Sequence, residues 1–120
     1  IEWRQSGHST IFIAILNGEH VGFLTIIGNA AKRASHRAEM CVGVQADARR
    51  KGIATNLLQK GEEWAASKNI SRLELTVVEN DKPGRKLFEK AGYVSEGIRQ
   101  DSMLINGKYY DEIYMAKFLD

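Results

Sequence analysis

The 120-residue sequence has one cysteine, one proline and no long apolar run. A single thiol excludes an internal disulfide framework, which favours a reducing, cytoplasmic setting. Because Cys41 lies in the apolar run AEMCVGV without a cationic neighbour to activate it, we expect a buried, unreactive side chain. No stretch approaches the roughly 20 apolar residues of a membrane span, and no signal peptide opens the chain, so no membrane attachment is expected.

The sequence also lacks a strong excess of charge of one sign. Seventeen Lys and Arg against 15 Asp and Glu leave a net charge of +2, so no global basic field points to a nucleic acid partner. The histidines His8, His20 and His36 stand far apart without matching Cys or carboxylate spacing, so we expect no metal site. A hydrophobic fraction of 43% can fill one core, and we expect a single domain over residues 1–120.

The first half of the chain combines a hairpin, a strand and a helix. Two β-branched apolar runs, 11–16 and 21–27, flank the pair Asn17-Gly18, which readily adopts the positive φ angles of a tight turn. Residues 38–44 predict a short buried strand, and the change of period from about residue 50 predicts a helix over roughly 50–68. The apolar face of this helix consists of Leu57, Leu58, Gly61, Trp64 and Ala65.

The second half repeats the alternation of strand and helix. The stretch SRLELTVVE predicts a strand at 72–78, and NDKPG then supplies a capping residue, Asp81, with a proline in the first helical turn. The helix that follows, about 82–91, ends at Gly92.

A second Asn-Gly pair, at 106–107, separates β-type runs at 93–105 and 109–118. Helices between strands require crossovers and a partly parallel sheet, whereas the two hairpins make antiparallel pairs. The sequence therefore predicts an α/β fold, in which a single mixed and mostly antiparallel sheet is flanked by helices.

Positive charge and small residues stand directly before the first helix, in VQADARRKGIATNLLQ. A helix start has unpaired N–H groups and partial positive charge, so it can bind phosphate. Gly52 and Ala54 would let a ligand approach the backbone, and Arg49, Arg50 and Lys51 would add charge. Two other interpretations stay open: the cations only solvate a loop, or they bind RNA in a salt-dependent manner.

The pattern Arg49-x-x-Gly52-x-Ala54 between a strand and a helix resembles the acetyl-coenzyme A motif (Q/R)-x-x-G-x-(G/A) of the GNAT superfamily of N-acetyltransferases. The later block LTVVENDKPGRKLFEKAGYV is similar to that family's strand, N-x-x-A and L-Y-x-K-x-G-F, and GKYYDEIYMAKFL is similar to the terminal hairpin of bacterial members. The likeness covers about residues 11–118. Members usually carry a strand and one or two helices before the first hairpin, where this chain has only IEWRQSGHST, so we expect a fold without them in a chain shortened at its N-terminus.

The resemblance implies transfer of an acetyl group from acetyl-coenzyme A (acetyl-CoA) to a primary amine of a small molecule, an amino acid or a protein, by direct attack in a ternary complex and without a metal. The pantetheine arm would pair with Val42, Gly43 and Val44, and an N–H near Val44 would face the thioester carbonyl. Asn80 and Asp81 match the family's asparagine position. The diphosphate would lie on Arg49, Arg50, Lys51, Gly52, Ile53, Ala54 and Thr55.

The catalytic residues are less clearly marked by the resemblance. Glu39 is similar to a strand glutamate that acts as base in certain members, although it could equally be a surface carboxylate, and Glu79 is a weaker candidate. Phe88 stands where a tyrosine often protonates the leaving thiolate, and it has no proton to donate. The remaining donors are water and the hydroxyls of Tyr109, Tyr110 and Tyr114.

Asp81 and Gly84 are two further departures, since the family usually has asparagine and alanine at these positions. The alternative function is a catalytically weak coenzyme A-binding module, a sensor or an assembly module, which Phe88 and the short N-terminal part both favour. The edge of the last hairpin could pair with a second copy, so a homodimer is compatible with the sequence. We expect a small-molecule amine acceptor, a cytoplasmic location and neither nucleic acid nor membrane as a partner.

Overall fold

The computed structural model describes the backbone of residues 2–6, 8–49 and 51–119, and the side chains of residues 8–49 and 51–119. Short 3-10 turns lie at Lys32–Ala34 and Ala46–Ala48. The strands and α-helices are β1 Glu2–Ser6, β2 Ser9–Leu16, β3 Glu19–Gly28, β4 Arg37–Val44, α1 Ile53–Ser67, β5 Arg72–Val78, α2 Lys82–Lys90, β6 Val94–Ile105 and β7 Lys108–Phe118.

The strands form one seven-stranded sheet in the order β1-β2-β3-β4-β5-β7-β6. Among the neighbouring strands of the described residues, only β4 and β5 pair in parallel, because α1 carries the chain from the end of β4 back to the start of β5. The other neighbours are antiparallel. The predicted mixed, mostly antiparallel sheet is thus confirmed.

Both predicted Asn-Gly turns are present. Asn17 and Gly18 have φ angles of 53° and 80°, and Asn106 and Gly107 have φ angles of 51° and 77°. These left-handed pairs match the twist of the strands that they join, β2 with β3 and β6 with β7.

The expected absence of a strand before the first hairpin needs correction. Residues Glu2–Ser6 form an edge strand that pairs antiparallel with β2, from Glu2 opposite Ile13 to Ser6 opposite Ser9. The segment EWRQS has no apolar alternation, so its pairing depends on the neighbouring strand and not on its own pattern.

The first helix begins later than predicted. It starts at Ile53, because Gly52, with φ 75°, is its N-cap and Ala46–Ala48 forms a separate turn before it. Its predicted inner face is confirmed, since Leu57, Leu58, Gly61, Trp64 and Ala65 are all buried.

The two faces of the sheet differ in how well they are covered. Gly61 of α1 packs closely on the inner face, where a Cβ would lie 2.9 Å from Cδ2 of Leu24. On the opposite face Phe23 is 39% exposed and Ile27 is 59% exposed. Cys41 lies on this outer face, opposite Thr25, and its exposure contradicts the predicted burial. The strand prediction assumed two covered faces, whereas β4 has only one.

A buried tyrosine joins the last two elements to α1. The hydroxyl of Tyr93, a residue only 3% exposed, donates to Oε2 of Glu62 at 3.0 Å, and Nζ of Lys117 donates to Oε1 of Glu62 at 2.9 Å. Burial raises the pKa of Tyr93, and the charge of Glu62 and its hydrogen bond raise it further. The folded protein therefore holds the phenolic proton at a pH where the unfolded chain loses it.

This raised pKa makes alkaline stability a test of the packing. Above about pH 10, the ordinary pKa of tyrosine, we expect the free energy of unfolding to fall with a slope that includes up to about 1.4 kcal/mol per pH unit from Tyr93. Below that pH the contribution is fully present. Denaturant unfolding of Tyr93→Phe should show a shallower alkaline decline than the wild type, and an identical slope would contradict the assignment.

Candidate functional site

The sheet opens between β4 and β5. These strands pair only at their first residues, with Arg37 opposite Arg72, Ala38 opposite Leu73 and Glu39 opposite Glu74. β4 continues to Val44, and within the described residues its side facing β5 is unpaired beyond Glu39. A length of backbone is therefore open in the middle of the sheet.

The β3 pairing determines which backbone groups face this open side. The N–H of Gln45 donates to the carbonyl of Val21 at 2.8 Å, and the register continues without a shift from there through Gly43 opposite Phe23. Because bonded and non-bonded pairs alternate in an antiparallel ladder, every second residue of β4 directs its N–H and C=O away from β3. These residues are Met40, Val42 and Val44.

Gly43 contributes to the site in a different way from Val42 and Val44. Its own backbone groups lie on the β3 side by the same alternation. A Cβ at this position would lie 2.6 Å from Cε1 of Phe23, so the absence of a side chain is what allows Phe23 to pack there.

The start of α1 carries uncompensated positive charge. No described side chain caps the helix at Gly52, and the first turn contains no acidic residue. The first helical hydrogen bond runs from the N–H of Asn56 to the carbonyl of Gly52, at 3.0 Å. The N–H groups of Ile53, Ala54 and Thr55 therefore have no acceptor in the described parts of the chain. A Cβ on Gly52 would meet nothing within 4 Å, which leaves this backbone open to a ligand.

Cations flank this helix start. Nε of Arg49 donates to the carbonyl of Val44 at 3.3 Å, which ties the loop to the end of β4, and Lys51 is exposed. Arg50 lies outside the described residues. The structure thus places the end of β4, the loop and the first turn of α1 in direct succession.

The predicted cap of the second helix is confirmed. Oδ1 of Asp81 accepts from the N–H of Gly84 at 3.1 Å, and Asn80 is exposed in the turn before it. A Cβ at position 84 would lie 2.4 Å from Oδ2 of Asp81. The two departures from the family pattern are therefore coupled, because the carboxylate occupies the space that an alanine would need.

This coupling predicts that the effect of Gly84→Ala on the free energy of unfolding depends on whether Asp81 is present. We expect Gly84→Ala to lower the free energy of unfolding by about 1 kcal/mol in the wild type, because the cap is displaced. In an Asp81→Ala background the same change should be neutral or stabilising, since alanine is the better helix former. A thermodynamic double-mutant cycle measures the coupling, and additive effects would contradict it.

A cavity of about 530 Å³ lies where β4 diverges from β5. Residues from four strands line it, among them Arg37, Glu39, Glu74, Arg99 and Tyr114. Glu39 is exposed at this cavity, and its carboxylate makes no hydrogen bond or ion pair with a described residue. Glu79 is placed differently, since its Oε1 accepts from the N–H of Asp111 on β7 at 3.1 Å.

An ion-pair network forms one wall of the cavity. Arg37 contacts Oε1 of Glu74 at 3.0 Å, Arg72 contacts Oε2 of the same carboxylate at 2.9 Å, and Arg72 also makes a two-point contact with Glu96. The hydrogen bonds to Glu96 and then Glu74 raise the pKa of Arg72, and the reciprocal bond lowers the pKa of Glu96.

Phe88 and the tyrosines considered as proton donors lie in different places. Phe88 is buried against Tyr93 with ring centroids 6.2 Å apart, so it belongs to the core. Of the three other tyrosines, Tyr114 lines the cavity, whereas Tyr109 and Tyr110 lie near the turn before β7. Arg99 also lines the cavity, and nothing in the sequence pattern singled it out.

No group of three or more His, Cys, Asp or Glu is placed to hold a metal ion among the described residues. None of their helices has the length and apolar character that crossing a membrane requires.

Two features indicate the class of protein. The parallel strands β4 and β5 part in the middle of a mixed sheet, and the start of α1, which no described side chain caps, follows β4. The chain belongs to the Acetyltransferase (GNAT) family, whose model matches residues 1–93. It is 33% identical over 106 residues to the L-amino acid N-acetyltransferase AaaT of Escherichia coli (strain K12), covering 88% of this chain and 65% of that protein.

Solved structures show the same fold. An acetyltransferase of the GNAT family from Streptococcus pneumoniae has 29% identity and a TM-score of 0.87 over 92% of this chain and 67% of its own. The putative acetyltransferase yncA from Salmonella typhimurium, solved with its cofactor acetyl-CoA, has 16% identity and a TM-score of 0.84 over 93% and 65%. The resemblance inferred from the sequence motifs is confirmed, and the chain spans 65% of the length of its curated relative AaaT.

Proposed function

We propose that this protein transfers an acetyl group from acetyl-CoA to the primary amine of a small molecule, by direct attack in a ternary complex. One observation carries the proposal: among the described residues, the end of β4 has an unpaired side and is followed by a helix start with neither a side-chain cap nor an acidic residue in its first turn. This succession suits a ligand with amides along its length and a diphosphate at one end.

The residues present fit acetyl-CoA. The N–H groups of Ile53, Ala54 and Thr55 would bind the diphosphate, with Gly52 giving access to the backbone. The outward N–H and C=O groups of Met40 and Val42 would pair with the amides of the pantetheine arm. The N–H of Val44 would donate to the thioester oxygen, where negative charge develops during acyl transfer.

Acetyl-CoA supplies an acetyl group that is already activated as a thioester. The chain would have to accept a proton from the amine and provide one to the leaving thiolate. An alkyl amine is mostly protonated at neutral pH and cannot attack until it loses a proton. Glu39 is the free carboxylate of the cavity, and we assign it the role of base, directly or through a water molecule. Because Phe88 is buried and lacks a hydroxyl, water or Tyr114 would return a proton to the leaving thiolate.

AaaT is by name an L-amino acid N-acetyltransferase, which makes amino acids the first acceptors to test. The experiment is calorimetric titration with acetyl-CoA, followed by measurement of coenzyme A release with a panel of amino acids, their amides and simple alkyl amines. Binding together with turnover supports the proposal. Binding without turnover would favour the sensor or assembly module that the core position of Phe88 also allows. Absence of binding would overturn both.

A further inference from the structure

The charges that line the cavity fall into two groups. Four of them neutralise one another: Arg72 bridges Glu74 and Glu96, and Arg37 contacts Glu74. The cavity also contains Arg99 and Glu39, which take no part in this network. Arg99 makes its ion pair, 3.6 Å long, with Glu112, which does not line the cavity, and Glu39 makes none with a described residue, so both charges can still meet a ligand.

Arg99 is held in place, and its terminal nitrogens make no hydrogen bond with a described residue. Its Nε donates to the hydroxyl of Tyr114 at 2.6 Å, and its guanidinium carbon lies 5.0 Å from the centre of that ring. The nearest acidic contact, from Nη1 to Oε1 of Glu112, is 3.6 Å, which is too long for a hydrogen bond. A guanidinium oriented in this way presents a planar fork that suits a carboxylate.

The backbone around Arg99 also favours a fixed position. The β6–β7 register shifts immediately after the pairing of Arg99 with Glu112. Within this irregular stretch Asp101 has a φ angle of 49°, and its N–H donates to Oδ1 of Asp111 at 2.8 Å. Such bulges redirect side chains beside binding sites.

Glu39 and Arg99 line the same cavity from different strands. The hydrogen bond to Tyr114 is the main factor that raises the pKa of Arg99, and the charges of Glu112 and Glu39 raise it further. The two groups come from strands on opposite sides of the opening, β4 and β6, so a molecule between them would meet both.

We propose that Arg99 and Glu39 bind the two charged ends of a free α-amino acid, with Arg99 on the carboxylate and Glu39 on the ammonium group. This inference rests on the proposed function and names its acceptor class. The ammonium group at Glu39 is the one that must lose a proton before attack, so the same contact that binds the acceptor also begins the reaction. Amines without a carboxylate would lose the contact with Arg99.

The test compares each amino acid with its α-amide, which keeps the amine and the side chain but removes the negative charge. We expect the wild type to prefer the free acid by at least about 30-fold in kcat/KM, mainly through KM. Arg99→Gln should abolish this preference without changing the affinity for acetyl-CoA. Arg99→Lys should retain part of it, because a lysine keeps the charge but not the fork.

Two further variants separate the specific effect from general ones. Arg85→Gln removes one positive charge from α2, where Arg85 makes an ion pair with Glu89, and should leave the preference intact. Tyr114→Phe keeps the ring but removes the acceptor of the Nε hydrogen bond. If Tyr114 positions Arg99, this change lowers kcat/KM for the free acids and leaves the amides unchanged, whereas equal losses for both would assign its hydroxyl to the chemistry instead.

The outcomes distinguish this inference from the proposed function. Turnover of amines with equal efficiency for acids and amides would overturn the inference and leave the function standing. Absence of turnover with every amine would overturn the function, and the inference is then judged by calorimetry of the coenzyme A-loaded protein with each acid and amide. Tighter binding of the acids that Arg99→Gln abolishes would support it, and equal affinities would overturn it.

Discussion

Gly52→Asp is expected to weaken the binding of acetyl-CoA by about 30-fold to 100-fold, whereas Gly52→Asn should weaken it by less than about tenfold. Both side chains tolerate the left-handed backbone that Gly52 adopts, with φ 75°, better than other residues do. They differ by one negative charge, which in the aspartate variant would stand beside the diphosphate. The ratio of the two dissociation constants therefore measures electrostatic repulsion at the helix start.

The loss of binding should not be accompanied by a loss of stability. An aspartate at the N-cap of α1 interacts favourably with the helix dipole, which offsets the strain of the left-handed backbone, so thermal stability should be retained while the ligand is lost. Gly107→Asp is the matched control, because Gly107 has φ 77°, equally open surroundings and a position in the last hairpin turn. Unchanged affinity in Gly52→Asp would contradict the placement of the diphosphate.

Glu39→Gln is expected to lower kcat by about 100-fold at neutral pH and to leave the affinity for acetyl-CoA unchanged. The amide has nearly the same shape as the carboxylate but cannot accept the proton of the amine. The residual rate of the variant should rise about tenfold per pH unit up to the pKa of the acceptor, because it then depends on amine deprotonated in solution. Steady-state kinetics across pH measure both effects.

A second glutamate provides the control for Glu39. Glu63 is an exposed carboxylate on α1, and Glu63→Gln removes the same charge away from the cavity, so its kcat should equal that of the wild type. If Glu39→Gln also retained full kcat, Glu39 would be a surface carboxylate, the other interpretation that the sequence left open.

Local signals predicted local structure well. The Asn-Gly pairs at 17–18 and 106–107 specify hairpin turns because few residues adopt two successive positive φ angles. Asp81 caps α2 because its short side chain reaches an N–H three residues ahead. The apolar spacing of α1 identified the helix face that is buried.

The same signals failed where the outcome depended on distant neighbours. The apolar run at 38–44 predicts a strand that is buried on both faces. In the structure, Glu39 and Cys41 lie on an exposed face of this strand. The strand at Glu2–Ser6 has no pattern of its own and exists through pairing with β2. Gly43 stands in the predicted cofactor segment, but the β3 register directs its backbone groups away from the open edge.

The sequence by itself determined most of the elements, both Asn-Gly turns, the cap of α2 and, through the motif at 49–54 together with the blocks that follow it, the family to which the chain belongs. Only the tertiary structure decided that β4 and β5 part after Glu39, and that Glu39, Tyr114 and Arg99 line one cavity from three different strands. The physical reason is how far apart in the sequence the interacting residues lie. Turn angles, caps and helical periodicity depend on residues a few positions apart, whereas strand order and register depend on contacts between segments far apart in the chain.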